Sequence, residues 1–122
     1  MKILVVDDEP MARQILAGAL RAMGHEPEAL DDPCAALERV RAGDVRLVIT
    51  DWQMPGMSGP EMCRAVRAAG LTRYVYVVLL TARADRESML EGLEAGADDF
   101  LTKPFDPAEL RLRLKNAERL IN

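Results

Sequence analysis

"LLTARADRESMLEGLEAGADDFLTKPF", residues Leu79 to Phe105, contains one full period of the pattern on which the chain is built. An apolar run closes on a hydroxyl, Thr81. Asp85 to Ala95 then carries apolar residues at helical spacing and stops at Gly96, a residue suited to the turn past a helix. A short run, Asp99 to Leu101, leads to an amine, Lys103. Strand, helix, strand is a βαβ unit, and repetition of that unit predicts a mainly parallel sheet. Neither Thr81 nor Lys103 has an evident role within its own run, so their meaning depends on what the fold brings to them.

The same alternation continues outward. "KILVV" (Lys2 to Val6), "PEAL" (Pro27 to Leu30), "RLVIT" (Arg46 to Thr50) and "VYVVLL" (Val75 to Leu80) read as strands, those rich in β-branched residues being buried on both faces. Pro10 to Met23, Pro33 to Ala42 and Pro60 to Ala69 read as helices that begin on proline. A last helix begins near Pro107: Asp106 caps it, Glu109 completes an approximate capping box, and Leu110, Leu114, Ala117 and Ile121 form its core stripe. The predicted fold class is α/β, a (βα)5 doubly wound parallel sheet of flavodoxin type with strand order 2-1-3-4-5. Gly92, inside the fourth helix, costs about 1 kcal/mol relative to alanine and predicts a soft element. Met11, Met23, Met62 and Met89 read as core filling.

A chain of 122 residues, 49% hydrophobic and 30% charged, suits one domain with its own core. Its net charge of −4 offers no basic surface for direct nucleic-acid binding. No apolar run approaches the roughly 18 residues of a membrane span, and the N-terminus turns acidic too early for a signal peptide. A cytoplasmic location without a membrane partner is the expectation. Cys34 and Cys63 stand in unlike contexts and read as reduced, partly buried thiols without function. His25, between Gly24 and Glu26, reads as a solvated loop residue.

In a doubly wound sheet the ligand crevice lies beyond the carboxyl ends of the strands, where the winding reverses between strands 1 and 3. Strand 1 ends in Asp7-Asp8-Glu9, strand 3 in Asp51, strand 4 in Thr81, and strand 5 just before Lys103. Thr81 and Lys103 are therefore expected to flank Asp51. Three carboxylates in one crevice repel, by roughly 4 kcal/mol for two charges about 4 Å apart at an effective dielectric near 20. Lys103 neutralises only one of them, so a divalent ion is expected. An all-oxygen set suits Mg2+, with Asp8 and Asp51 as direct ligands. A metal, an ammonium and a hydroxyl around a solvent-facing carboxylate equip it for phosphoryl transfer, with Asp51 as nucleophile. Gly56 and Gly59 read as a turn that positions Asp51, since no GxxxxGK[ST] follows.

"ILVVDDEP", "VITDWQMPGMSG", "VVLLTAR" and "GADDFLTKPF", in that order and spacing, resemble the receiver domain of a bacterial two-component response regulator, from Lys2 to about Leu120. The resemblance implies Asp51 as phosphoacceptor, Asp7 and Asp8 as the acidic pair that holds Mg2+, and the backbone carbonyl of Gln53 as a further ligand. It implies Lys103 and Thr81 as contacts of the phosphoryl group, with the backbone of Trp52 and Ala82 beside it, and a cis peptide between Lys103 and Pro104. The implied donor is a phosphohistidine on a sensor histidine kinase or phosphotransfer protein. In the implied switch, Thr81 shifts toward the phosphoryl group and Phe100 turns inward. Phe100 lacks the hydroxyl of the tyrosine often found at that position, so packing and solvation decide between its rotamers.

The soft fourth helix, with the fifth strand and fifth helix, is expected to form the face that phosphorylation remodels and an output domain or partner reads. Gln53 and Arg83 are expected to set the rate of phosphate loss. Arg13 and Gln14, read as exposed on the first helix, are expected to meet the kinase. The ending "AERLIN" is similar to receivers whose last helix runs on into an output domain, a diguanylate cyclase or serine phosphatase among them. Residues 1–122 are thus expected to be a receiver at the N-terminal end of a larger regulator, a stand-alone receiver with a separate target being the alternative. Arg111, Arg113, Lys115 and Arg119 read as a solvated face or as partners in a phosphorylation-dependent homodimer.

Taken singly, these residues have plainer readings: Asp7 and Asp8 as a helix N-cap pair, Thr81 as a turn-capping hydroxyl, Lys103 as a solvated charge. A haloacid-dehalogenase-type phosphatase also forms an aspartyl phosphate with Mg2+, but its nucleophile sits in a DxD motif after the first strand, where this chain has adjacent aspartates. An interaction module that is never phosphorylated would lack one member of the set. The expected class is a phosphoacceptor switch that catalyses only its own phosphorylation and dephosphorylation, and no other enzyme chemistry.

Overall fold

Short apolar runs alternating with helices, all but the fourth with proline in the first turn, give ten elements. In the computed structural model, which describes residues 1–82 and 85–121, they alternate without exception. They are β1 (Lys2–Val6), α1 (Pro10–Ala22), β2 (Glu26–Leu30), α2 (Pro33–Arg41), β3 (Leu47–Asp51), α3 (Gly59–Ala68), β4 (Tyr76–Thr81), α4 (Arg86–Ala95), β5 (Asp99–Thr102) and α5 (Pro107–Ile121). The strands form one parallel sheet in the order β2-β1-β3-β4-β5, the flavodoxin-like arrangement. Several helix ends shift by one residue from the sequence expectation because capping residues lie outside the helices they close, and β3 and β4 each begin and end one residue later than expected. Asp51 and Thr81 are the last residues of their strands.

Alternation along the strands makes two cores. Leu4, Val6, Val48, Val77 and Leu79 face α2 and α3, meeting Ala36, Leu37, Val40, Met62, Cys63 and Val66. Ile3, Val5, Ile49, Val78, Leu80 and Leu101 face the other side, meeting Leu16 and Leu20 of α1 and Leu110, Leu114 and Ala117 of α5. Each such large aliphatic side chain contributes about 1.5–3 kcal/mol by leaving water. Edge strand β2 is instead mostly exposed, and its Glu26 and Glu28 discourage pairing with another chain.

Several expectations need correction. Met62 is core, but Met11 is 66% exposed and Met89 39% exposed. The helical period placed them on a regular spacing without saying which face turns inward; on α1 that face is Leu16, Ala17 and Leu20. Cys34 is exposed, whereas Cys63 is buried and its thiol is pushed up to about 11 by that burial. His25 is not solvated: it packs near α5 with Nε2 3.6 Å from Glu118, its Nδ1 is buried without a partner, and burial lowers its pKa below 6.5. Glu109 does not reach back to complete a box on α5; its carboxylate lies 3.6 Å from Arg113, while Asp106 accepts from the Ala108 amide. The capping box falls on α3, between Ser58 and Glu61.

Gly92 has a packing reason. It is buried on α4, and a Cβ there would stand 2.6 Å from Cε1 of Phe100 and 2.9 Å from Cδ1 of Leu79. The absent side chain lets the Phe100 ring lie directly against the helix.

Candidate functional site

The carboxyl ends of the central strands come into line through the pairing register. Asp51 sits opposite Leu80, and Thr81 opposite Thr102, one residue before Lys103. Beyond Asp51 the chain turns sharply: the Gly59 amide, first in α3, donates to the Trp52 carbonyl at 2.7 Å. A Cβ on Gly59 would stand 2.5 Å from the Asp51 carbonyl oxygen, so a close backbone approach at the start of α3 holds the end of β3 in place. On the far side of the cleft, the Lys103 amide donates to the Thr81 carbonyl at 2.9 Å, and the Lys103–Pro104 peptide is cis.

The side chains then converge. Lys103 Nζ lies 2.8 Å from Asp51 Oδ1 and 3.5 Å from Asp7 Oδ2. The Trp52 amide also donates to Asp51 Oδ1, at 2.9 Å. Asp7 is 1% exposed; its Oδ1 accepts from the Glu9 amide at 3.0 Å and its own amide donates to the Leu30 carbonyl at 3.1 Å. Asp8 is exposed. One carboxylate oxygen from each of Asp7, Asp8 and Asp51 lies within 4.8 Å of the others. A cleft of about 270 Å³ opens beside them, lined by Asp51, Trp52, Gln53, Thr81, Ala82 and Lys103.

Charge balance follows from this packing. Burial raises the Asp51 carboxyl above its usual range, the Lys103 bond opposes that rise, and the Asp7 charge adds to it. Burial alone would lower Lys103, but the bond to Asp51 and the charges of Asp51 and Asp7 raise it on balance, so it stays an ammonium. One ammonium among three carboxylates leaves net negative charge in an all-oxygen pocket. That donor set fits a hard divalent cation of the Mg2+ type.

The helix-cap alternative for the aspartates does not hold. Glu9 is the N-cap of α1, its carboxylate accepting from the Met11 amide at 3.1 Å and the Ala12 amide at 2.6 Å. Arg13 is not the exposed residue the sequence suggested; it is half-buried and donates from Nη1 to the Asp7 carbonyl at 2.9 Å. Arg113 is likewise not merely solvated, since it lies 3.3 Å from Asp99 of β5. Arg83 lies outside the described residues.

Sequence reasoning missed Arg67 altogether. Its guanidinium donates to the Gly96 carbonyl from Nε (3.0 Å) and Nη2 (2.8 Å), to the Val75 carbonyl (2.6 Å) and to Asp98 Oδ2 (2.8 Å), and it stacks on Tyr74 with 4.6 Å to the ring centroid. Tyr74 in turn hydrogen-bonds Asp98. This cluster ties α3 to the turn after α4, at the end of the sheet away from the cleft. A lone arginine in a helix carries no signal of such reach, because its partners are mostly carbonyls from distant segments.

A parallel sheet with an acidic cleft of this layout is the architecture of a signalling receiver. The chain belongs to the response regulator receiver domain family, whose model matches residues 3–115. It is therefore a receiver domain of the two-component, phosphorelay kind, a signal switch and not a conventional enzyme. Two relatives illustrate the range. The phosphate regulon transcriptional regulatory protein PhoB of Escherichia coli is 38% identical over 121 residues, which is 99% of this chain and 53% of the relative. Chemotaxis protein CheY-3 of Vibrio cholerae is 39% identical over 122 residues, 98% of this chain and 94% of the relative. The chain thus spans about half the length of the PhoB relatives it matches and nearly all of CheY-3. Among solved structures, the receiver domain of sensor histidine kinase PA1611 from Pseudomonas aeruginosa superposes with a TM-score of 0.86 at 30% identity, covering 94% of both chains; it has a magnesium ion coordinated in its active-site cleft. Among the described residues, no helix is long and apolar enough to cross a membrane.

Proposed function

We propose that Asp51 is the phosphoacceptor of a Mg2+-dependent switch and that Lys103 and Thr81 serve the transferred group. The observation that carries this is the setting of Asp51: a half-buried carboxylate at a strand end, with Oδ1 held by both Lys103 Nζ at 2.8 Å and the Trp52 amide at 2.9 Å. With Oδ1 held, Oδ2 is the oxygen that attacks phosphorus. A P–O bond to Asp51 forms as the P–N bond to the donor phosphohistidine breaks, and the departing imidazole keeps the bond's electron pair. Lys103, already beside the carboxylate, disperses charge on the phosphoryl oxygens. Thr81, Trp52 and Ala82 line the same cleft, where the Thr81 hydroxyl and the backbone amides of Trp52 and Ala82 would supply donors to those oxygens.

Asp8 and Asp51 would hold Mg2+ directly, with the Gln53 carbonyl as a further ligand and the buried, hydrogen-bonded Asp7 supporting them. When bound, the ion neutralises carboxylate and phosphoryl charge so that two anions can meet. Hydrolysis reverses the state: water attacks phosphorus, the P–O bond to Asp51 breaks, and inorganic phosphate leaves. Gln53, exposed at the mouth of the cleft, sets the access of that water.

The signal leaves through Thr81 and Phe100 to the α4–β5–α5 face. Phe100 rests against Gly92 of α4 and stands opposite Leu79 of β4, two residues before Thr81, so β4 is the route by which a shift of Thr81 would reach the ring. The face carries exposed Leu93 and Leu112, apolar groups for an output domain, a separate target or a second copy of the chain. A sensor histidine kinase or phosphotransfer protein supplies the phosphoryl group from the cytoplasmic side. The match to half of PhoB favours a chain that continues into an output domain, and the match to nearly all of CheY-3 favours a stand-alone receiver.

Intact-mass spectrometry after incubation with Mg2+ and acetyl phosphate tests the proposal. One added phosphoryl group is expected, absent from Asp51→Asn and from metal-free protein. No adduct on the wild type, even when a beryllofluoride mimic is tried to bypass rapid hydrolysis, would overturn it.

A further inference from the structure

Arg13 makes a contact that the phosphoryl-transfer reading does not use. Its Nη1 reaches back over six residues to the Asp7 carbonyl at 2.9 Å, in a half-buried setting. That carbonyl belongs to the peptide joining Asp7 to Asp8, so the bond fixes the plane of the one peptide shared by the acidic pair. The other polar groups of Asp7 are also held: its amide by Leu30, Oδ1 by Glu9, and Oδ2 by Lys103. Asp8 differs. It is exposed, and among the described residues its carboxylate has no hydrogen-bond partner. Its direction is inherited from the backbone on which it sits.

We propose that Arg13 is a positioning residue for the acidic pair: by tying the Asp7–Asp8 peptide to α1, it aims the Asp8 carboxylate into the cluster with Asp7 and Asp51. The inference rests on the Mg2+ reading above and extends it to a residue outside the cleft. Groups that orient metal-binding carboxylates typically change affinity by about 10- to 100-fold when lost. Two physical effects of Arg13 have opposite signs here, which makes the inference sharp. If the guanidinium acted only as a nearby positive charge, its removal would tighten binding of a divalent cation. If it acts by holding the peptide, its removal weakens binding.

Arg13→Met removes the donors and keeps most of the aliphatic stem, so packing along α1 is preserved. Mg2+ titrations followed by the fluorescence of Trp52, the single tryptophan and the neighbour of Asp51, read the affinity. The expected result is roughly tenfold weaker binding in Arg13→Met, partial recovery in Arg13→Lys, and no change in Gln14→Ala. The rate of phosphorylation by acetyl phosphate should fall at limiting Mg2+ and recover at saturating Mg2+, a split that mere loss of stability would not give. In metal-free protein, amide exchange at Glu9 should quicken several-fold in Arg13→Met, with thermal unfolding monitored to show that the fold persists. Equal or tighter Mg2+ binding in Arg13→Met, with a wild type that binds normally, overturns this inference alone. A wild type that binds no Mg2+ overturns the reading beneath it.

Discussion

Alanine at Gly92 should destabilise the fold, whereas alanine at Gly18 should stabilise it. Both glycines lie inside helices, where alanine is favoured by about 1 kcal/mol. Gly18 is exposed on α1 with open space where a Cβ would go. At Gly92 the new methyl would meet Phe100 Cε1 at 2.6 Å and Leu79 Cδ1 at 2.9 Å, about 1 Å inside ordinary carbon contact. Overpacking of this kind costs about 1–3 kcal/mol, which exceeds the helical gain and leaves Gly92→Ala about 1 kcal/mol less stable than wild type. The two variants should therefore differ by about 2 kcal/mol in urea unfolding, read from midpoints at unchanged slope. Leu79 is fully buried, so the half-buried Phe100 ring must be the group that yields. Adding Phe100→Leu to Gly92→Ala should then return much of the loss. Gly92→Ala proving as stable as Gly18→Ala would refute the packing of Phe100 against α4, and with it the coupling from Thr81 to that face.

Three further outcomes follow from other parts of the molecule. Burial raises Asp51 in the folded state, so the folded chain holds its proton to higher pH than the unfolded chain and stability is lost as pH rises above the ordinary value of 3.8. Metal-free Asp51→Asn should accordingly be more stable than wild type at neutral pH, with the gap closing as pH falls toward that value; a gap independent of pH in urea melts would contradict this. Arg67→Met should lose about 2 kcal/mol, because it frees the Gly96 and Val75 carbonyls and removes the charged partner of the half-buried Asp98, which keeps its bonds from Tyr74 and the Val77 amide, and calorimetry showing a loss below about 0.5 kcal/mol would mean the cluster is ornamental. Mg2+ at a hundred times its Kd should stabilise the wild type by about 2.7 kcal/mol, and a thermal scan in which Asp8→Asn gains as much would remove Asp8 from the ligand set.

Much of this was legible in the sequence because the informative residues sit where apolar runs stop. Thr81 and Lys103 are far apart in the chain, yet the reversal of winding between the first and third strands requires their strand ends to meet Asp51, and all three line one cleft. What was illegible depends on direction or reach. Helical spacing could not say that Met11 and Met89 turn outward. His25, between a glycine and a glutamate, gave no hint that α5 would cover it. The long side chains of Arg13 and Arg67 act on backbone carbonyls six and more residues away, contacts that leave no pattern in composition. Gly92 was read as softness because propensity speaks only of the helix itself, and the ring that fills its place arrives from β5.

The account turns on which atom receives the phosphoryl group. Borohydride reduction of the protein after brief exposure to Mg2+ and acetyl phosphate converts an acyl phosphate to the alcohol, and peptide mass spectrometry then locates it. Position 51 should be recovered as homoserine in a phosphorylation-dependent manner, with every other aspartate and glutamate unchanged. Recovery of the reduced residue at Asp7, Asp8 or elsewhere, with Asp51 intact, would contradict the claim that this carboxylate is the acceptor.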